Sequence, residues 1–191
     1  MHSHELAALI RQVPDYPQPG VVFRDITPLL ASPAGFASAV DALVELSPRE
    51  VDVVVGIEAR GFLFGAPVAL ALGAGFVPIR KPAKLPREVV SVTYELEYGT
   101  ETLALHTDAF ASGARVLIVD DVLATGGTVV AAAELVARLG GELVGVTLLS
   151  ELAYLGGRGR LVDAGPPADV ARRRAGPTGE HLARRLGPPA G

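Results

Sequence analysis

The chain has 191 residues, enough for one domain with a full hydrophobic core, and 49% of them are hydrophobic, as a globular fold requires. It contains no cysteine, which excludes a disulfide framework, a thiolate metal site and a thiol nucleophile. The formal charge of −4 is uneven: residues 1–157 carry 10 basic and 18 acidic groups, whereas 158–191 carry 7 and 3, so the body of the chain is not a general nucleic-acid binder. The opening MHSHELAALI lacks a basic region followed by a long apolar stretch, and no run reaches membrane-spanning length. A soluble, cytoplasmic protein without a membrane partner is the expectation.

Leu6, Leu9, Ile10 and Val13 recur at helical spacing, so residues 4–13 are predicted to form an amphipathic helix capped by Ser3 and ended by Pro14, Pro17, Pro19 and Gly20. In VVFRDITPLL, Val21, Val22 and Phe23 are apolar before Arg24 and Asp25 interrupt them, the pattern of an edge strand with a local ion pair. Ser32 and Pro33 read as the N-cap and first residue of a second helix, whose apolar stripe is Phe36, Val40, Leu43 and Val44. Val51 to Ile57 is a buried strand, followed at once by Glu58-Ala59-Arg60-Gly61 and an apolar helix over Phe62 to Leu72. Arg60, at a strand's carboxyl end, is either an anion ligand or a cap for a neighbouring element. Phe76 to Ile79 is a short strand that also ends in charge: Arg80, Lys81 and Lys84, with Arg87 beyond. A solvated loop is the usual explanation of such a cluster, yet its place at a strand end also suits a polyanion. Residues 89–105 alternate apolar and polar around Tyr98-Gly99-Thr100, a β-hairpin or flap with Glu97 and Tyr98 at its tip. A mobile flap is a common means of excluding water from a reactive intermediate.

The richest stretch is Val116 to Thr128, VLIVDDVLATGGT. Val116 to Val119 lacks alternation, as a parallel strand buried on both faces does. Asp120 and Asp121 then stand where that strand leaves the sheet, and ligands of open α/β sheets bind at the carboxyl ends of strands. Gly126 and Gly127 allow backbone N–H groups close approach to a ligand, Thr125 and Thr128 add hydroxyls, and a helix follows, so the turn is an anion cradle at a positive helix end. The carboxylates beside it suit a diol, and the combination suits a sugar phosphate. GxxxxGK[ST] is absent and no GxGxxG follows a strand, so the common nucleotide loops do not apply. Residues 128–139 form the next helix, with Glu134 and Arg138 spaced for an ion pair, Gly140 and Gly141 stop it, and Leu143 to Leu149 is another buried strand. From about Gly156 the composition turns to Arg, Pro, Gly and Ala, and residues 163–191 are expected to be a mostly mobile tail. Alternation of strands and helices gives the fold class as α/β with a mainly parallel central sheet flanked by helices.

The VLIVDDVLATGGT stretch resembles the phosphoribosyl pyrophosphate (PRPP) motif of type I phosphoribosyltransferases. VVFRDITPLL, GIEARGFLFGAPVAL, RKPAKLPRE, YELEYGT and VDDVLATGGT, in this order, are together similar to the adenine phosphoribosyltransferase family, over roughly residues 4–162. The resemblance implies transfer of a phosphoribosyl group from PRPP to adenine, giving AMP and pyrophosphate in purine salvage, with Mg²⁺ carried mainly by PRPP rather than by a protein cage. It implies a domain over 1–162, a base-binding hood within 1–32, a β flap and a homodimer. Ala124, Thr125, Gly126, Gly127 and Thr128 would hold the 5′-phosphate, and Asp120 and Asp121 the ribose hydroxyls. Arg60, with a Glu58-Ala59 peptide that relatives hold strained or cis, would bind the pyrophosphate, which Arg80 and Lys84 would neutralise, with Arg87 a weaker candidate. Val22, Phe23 and Arg24 would bind adenine, Glu97 would be the acid/base group, and Tyr98 would help to close the flap. The arginine-rich carboxyl end departs from the family, whose members usually finish with a short apolar strand. Two alternatives remain: a non-catalytic PRPP sensor, supported only by the basic tail, and a phosphoribosyltransferase for another base, against which Val22 to Arg24 argues.

Overall fold

The computed structural model describes residues 3–95, 99–152 and 155–157. The chain divides into two compact units, Met1–Glu45 and Leu46–Gly191.

In the first unit, α1 (Ser3–Ala8) is followed by β1 (Arg11–Pro14), β2 (Val22–Asp25), α2 (Thr27–Ala31) and α3 (Pro33–Leu46), which runs just past the boundary. The expected helix over 4–13 is therefore cut short. Arg11 to Pro14 pairs antiparallel with β2, with Arg11 opposite Asp25 and Pro14 opposite Val22. Helical spacing of apolar residues loses to a ladder whose partner lies a dozen residues away, which no local pattern reports. Val22, Phe23 and Arg24 lie on β2, and Phe23 meets Tyr16 edge to face at 5.2 Å. Asp25 Oδ1 accepts from the Thr27 N–H at 2.9 Å, which starts α2 directly after the strand. As expected, Ser32 Oγ accepts from the Gly35 N–H at 3.1 Å and Pro33 is the first residue of α3.

The second unit contains β3 (Val53–Ile57), α4 (Gly61–Leu72), β4 (Gly75–Ile79), a 3-10 turn at Pro82–Lys84, β5 (Val89–Glu95), β6 (Thr100–His106), β7 (Arg115–Leu123), α5 (Gly127–Arg138) and β8 (Glu142–Glu151). Four strands form one parallel sheet in the order β4-β3-β7-β8. The expected hairpin is β5 with β6, antiparallel from Val89 opposite His106 to Glu95 opposite Thr100. Arg80 ties β4's exit to this hairpin by exchanging backbone hydrogen bonds with Ala104. Glu97 and Tyr98, expected at the tip of this hairpin, lie outside the described residues, as does the 163–191 tail.

Alternation along the central strands separates the two faces of the sheet. Val55, Ile57, Val116 and Ile118 join Ala131, Ala132, Leu135 and Val136 of α5 in one buried cluster with Leu103 and Leu105 of the hairpin. On the other face α4 presses against β3 and β7. Gly61 permits the closest approach: a Cβ there would stand 2.9 Å from both the Val119 carbonyl oxygen and Asp120 Oδ1. Because α4 begins so close to β7, the loop between β3 and α4 lies against the acidic residues of β7.

Candidate active site

One cleft, with a volume of about 220 Å³, opens at the carboxyl ends of β3 and β7. Its walls are Glu58, Ala59 and Arg60 from the β3–α4 loop, Lys81, Tyr94 and Glu101 from the second charged loop and the hairpin, and Asp120 to Gly126 with Thr128 from the β7–α5 connection.

The acids do not stand beyond the end of β7, as the sequence led us to expect. Pairing with β3 stops at Val119, opposite Gly56, while pairing with β8 continues to Leu123, opposite Glu151. The strand outruns one neighbour, and Asp120 and Asp121 occupy the overhang, still held by β8 and buried to 9% and 3% exposure. The Asp121 N–H donates to Asp120 Oδ1 at 2.9 Å, and Arg60 Nε meets Asp121 Oδ2 at 3.0 Å. Burial, and then the neighbouring charge of Asp121, push Asp120 up to about 8. Burial also raises Asp121, although Arg60 opposes the shift. Two adjacent acids in so little water are costly to ionise, and hydroxyl donors or positive charge entering the cleft would relieve that cost.

Past Leu123 the chain turns through Ala124 and Thr125 to Gly126, whose φ of 84° is a left-handed conformation that suits glycine, and α5 starts at Gly127. The turn therefore lies at the unsatisfied amino end of a twelve-residue helix, where N–H groups and the helix dipole favour an anion. Ala124, Thr125, Gly126 and Thr128 line the cleft, while Gly127 is buried beneath it.

The basic residues divide in a way the sequence did not reveal. Arg80 reaches Glu58 with Nε at 3.3 Å and Nη2 at 3.5 Å, the Lys84 ammonium bonds the same carboxylate, and the Lys81 N–H adds a contact of 3.3 Å. Burial alone would raise Glu58, but the Lys84 and Arg80 hydrogen bonds outweigh it and hold the carboxyl at about 2. Arg87 is turned onto Asp108, away from the cleft lining. Lys81, passed over between Arg80 and Lys84, lines the cleft instead, its Nζ 2.5 Å from Glu101 Oε1. Glu101 Oε2 accepts from Tyr94 OH at 3.1 Å, and the same hydroxyl is 3.1 Å from Thr128 Oγ1. The signal for Tyr94 and Glu101 was their register on the hairpin, where they are direct cross-strand partners. The Glu58–Ala59 peptide is cis.

A parallel sheet, paired acids on an overhanging strand, an amide-lined turn at a helix start, and Arg60 and Lys81 thus meet in one cleft, on the mixed α/β architecture of the type I phosphoribosyltransferase fold. The family described as "Phosphoribosyl transferase domain" matches residues 27–158. Adenine phosphoribosyltransferase of Cutibacterium acnes is 62% identical over 160 residues, covering 84% of this chain and 90% of its own. The crystal structure of the enzyme of that name from Thermoanaerobacter pseudethanolicus superposes with a TM-score of 0.81 at 50% identity, over 84% of this chain and 94% of its own. That from Saccharomyces cerevisiae, complexed with an imino-altritol bisphosphate and adenine, gives 0.79 at 43%, over 83% and 93%. The chain belongs to the adenine phosphoribosyltransferase family.

Proposed function

We propose that the protein transfers the phosphoribosyl group of PRPP to adenine, releasing pyrophosphate and forming AMP in purine salvage. The observation that carries this reading is the single cleft in which the Asp120–Asp121 pair adjoins the amino end of α5 and the Arg60 loop.

Each end of PRPP has a chemically matched wall. Amides of Ala124 to Thr128, at the positive end of α5, would take the 5′-phosphate. Asp120 and Asp121 would accept hydrogen bonds from the ribose hydroxyls, so their role is to hold the sugar rather than to move a proton. Arg60, adjoining Asp121, would reach the pyrophosphate, with Arg80 and Lys84 as the further cations of that end. Arg60 is thereby placed to stabilise charge that grows on the leaving group, a contribution that counts only in the transition state. Glu97 would manage the adenine proton and Tyr98 would close the flap over it. On β2, Phe23 would stack on the purine beside Arg24, and the Val22 carbonyl would accept from the 6-amino group. A 6-oxo purine would set lone pair against lone pair at that carbonyl, and sites built on such direct pairing discriminate by about 10⁴ or more.

Mg²⁺ fits this site through its substrate. Mg²⁺ favours phosphate oxygens and water with few protein ligands, so it is expected to enter with PRPP. When bound it would neutralise pyrophosphate charge, and this chain's part is to orient the ribose hydroxyls with Asp120 and Asp121. A homodimer is supported by Leu63 and Leu70, exposed by 43% and 83% and seven residues apart on α4, which a second copy would cover. No helix among the described residues is long and apolar enough to cross a membrane.

The test is to incubate the protein with PRPP and Mg²⁺ and, separately, adenine, hypoxanthine, guanine or orotate, and to follow pyrophosphate release. Release with adenine alone is the expected result; release with guanine or orotate but not adenine would sink the proposal.

A further inference from the structure

Four polar side chains form a continuous chain across the cleft: Lys81 to Glu101 at 2.5 Å, Glu101 to the Tyr94 hydroxyl at 3.1 Å, and that hydroxyl to Thr128 at 3.1 Å. One end, Thr128, belongs to the turn assigned above to the 5′-phosphate, and the other, Lys81, lies between Arg80 and Lys84, the cations assigned to the pyrophosphate. Thr128 stands in the turn at the start of α5, and Lys81 in the loop that follows β4. Lys81 is 58% exposed and Glu101 30%, so the ammonium is the freer partner, while the carboxylate is fixed on the hairpin by Tyr94. Of the cations Arg80, Lys81 and Lys84, the two outer ones share Glu58, and Lys81 is the one whose side chain stands in the cleft wall.

We propose that Glu101, oriented by Tyr94, is a latch for Lys81: it holds the ammonium against its own carboxylate, competes for it with the diphosphate of PRPP, and so sets how readily pyrophosphate leaves. This rests on the PRPP reading above. Glu101 is a positioning residue, acting on the ligand only through Lys81. Lysine is a compact point charge on a flexible stem, so it moves between two anions at little cost, and exposed ion pairs contribute little net stability. A carboxylate held beside it nevertheless opposes the incoming anion. Pyrophosphate is the product, so weakening its hold favours turnover.

The test measures the affinity of the full-length protein for Mg²⁺-pyrophosphate by titration calorimetry, in the wild type, Glu101→Gln, Lys81→Ala and the double variant, alongside steady-state kinetics with adenine. The expected result is that Glu101→Gln binds pyrophosphate about three- to tenfold more tightly and lowers kcat and the KM for PRPP together, while the same substitution has no effect once Lys81 is alanine. A merely structural Glu101 would instead raise KM and weaken pyrophosphate binding. Either that result or unchanged affinity overturns the latch. Glu101→Ala makes the same test, with the same expected direction, if the glutamine variant does not fold. Wild-type protein that neither binds pyrophosphate nor forms AMP would overturn both the proposed function and the latch, whereas active wild type with an unshifted Glu101→Gln overturns the latch alone.

Discussion

Asp120→Asn is expected to make the protein more stable and less active at once. The carboxyl is buried, its Oδ1 accepts the Asp121 N–H at 2.9 Å, and its neighbour Asp121 is itself only 3% exposed. Asparagine keeps that acceptor and the shape of the side chain while removing one of two adjacent charges. Burial and the Asp121 charge raise Asp120 from 3.8 to about 8, so the unfolded chain releases this proton at a lower pH than the folded protein does. An acid displaced in that direction costs the fold stability as pH rises from about 4 toward about 8, and the loss is complete above the folded value. At about 1.4 kcal/mol per pH unit, a rise from 3.8 to about 8 sets a ceiling of roughly 6 kcal/mol, and sharing the protonation with Asp121 brings it to about 2–3 kcal/mol. At about 2–4 °C per kcal/mol for a domain of this size, Asp120→Asn should raise Tm by roughly 5–10 °C at pH 8. At pH 5 the gain should be about a quarter of that. Losing a charged acceptor for a ribose hydroxyl should lower kcat/KM for PRPP about 10- to 100-fold. Thermal melts of both proteins at pH 5 and pH 8, with pyrophosphate release measured at pH 8, check the prediction. Equal melting temperatures at pH 8, or a gain independent of pH, would refute the electrostatic argument.

Glu97→Gln should lower kcat at least about tenfold with a modest change in PRPP affinity, since general acid–base help is typically worth about 10² to 10⁴; steady-state kinetics showing unchanged turnover would reject its role. Gly61→Ala puts a Cβ against the Val119 carbonyl and Asp120, neither of which can step aside, so it should cost roughly 1–3 kcal/mol in denaturant melts and raise the KM for PRPP several-fold. Phe23→Ala should raise the KM for adenine about tenfold through lost stacking and leave pyrophosphate binding unaltered, as parallel measurements with the two ligands would show.

The elements of the parallel sheet were legible because buried strands are written as unbroken apolar runs: the strands expected at Val51 to Ile57 and from Val116 are found at Val53–Ile57 and Arg115–Leu123. The hairpin showed in the alternation of residues 89–105. Arg11 to Pro14 was not legible, because its ladder to β2 is a non-local choice hidden under helical spacing. The extension of β7 through Asp121 to Leu123 escaped for a similar reason: only pairing with β8 keeps two aspartates in a strand that β3 has already left. At the site, residue types were readable and their directions were not. Arg80, Lys81 and Lys84 form one basic cluster in the sequence, and what sorts them is Glu58, which draws the outer two, and Glu101, which lies in register to meet Lys81. Gly61 gave no signal, since its importance lies in the 2.9 Å to β7 that a Cβ would occupy.

The central claim is that phosphoribosyl transfer to adenine takes place in the cleft formed by Asp120, Asp121 and the turn before α5. The most direct measurement is conversion of labelled adenine to AMP with PRPP and Mg²⁺, by the wild type and by a variant carrying both Asp120→Asn and Asp121→Asn. With two charged acceptors gone at about 1.5–3 kcal/mol each, we predict AMP from the wild type and a rate lower by about 10² to 10⁴ in a folded double variant. Equal rates from the two proteins, or no AMP from the wild type, would contradict the account.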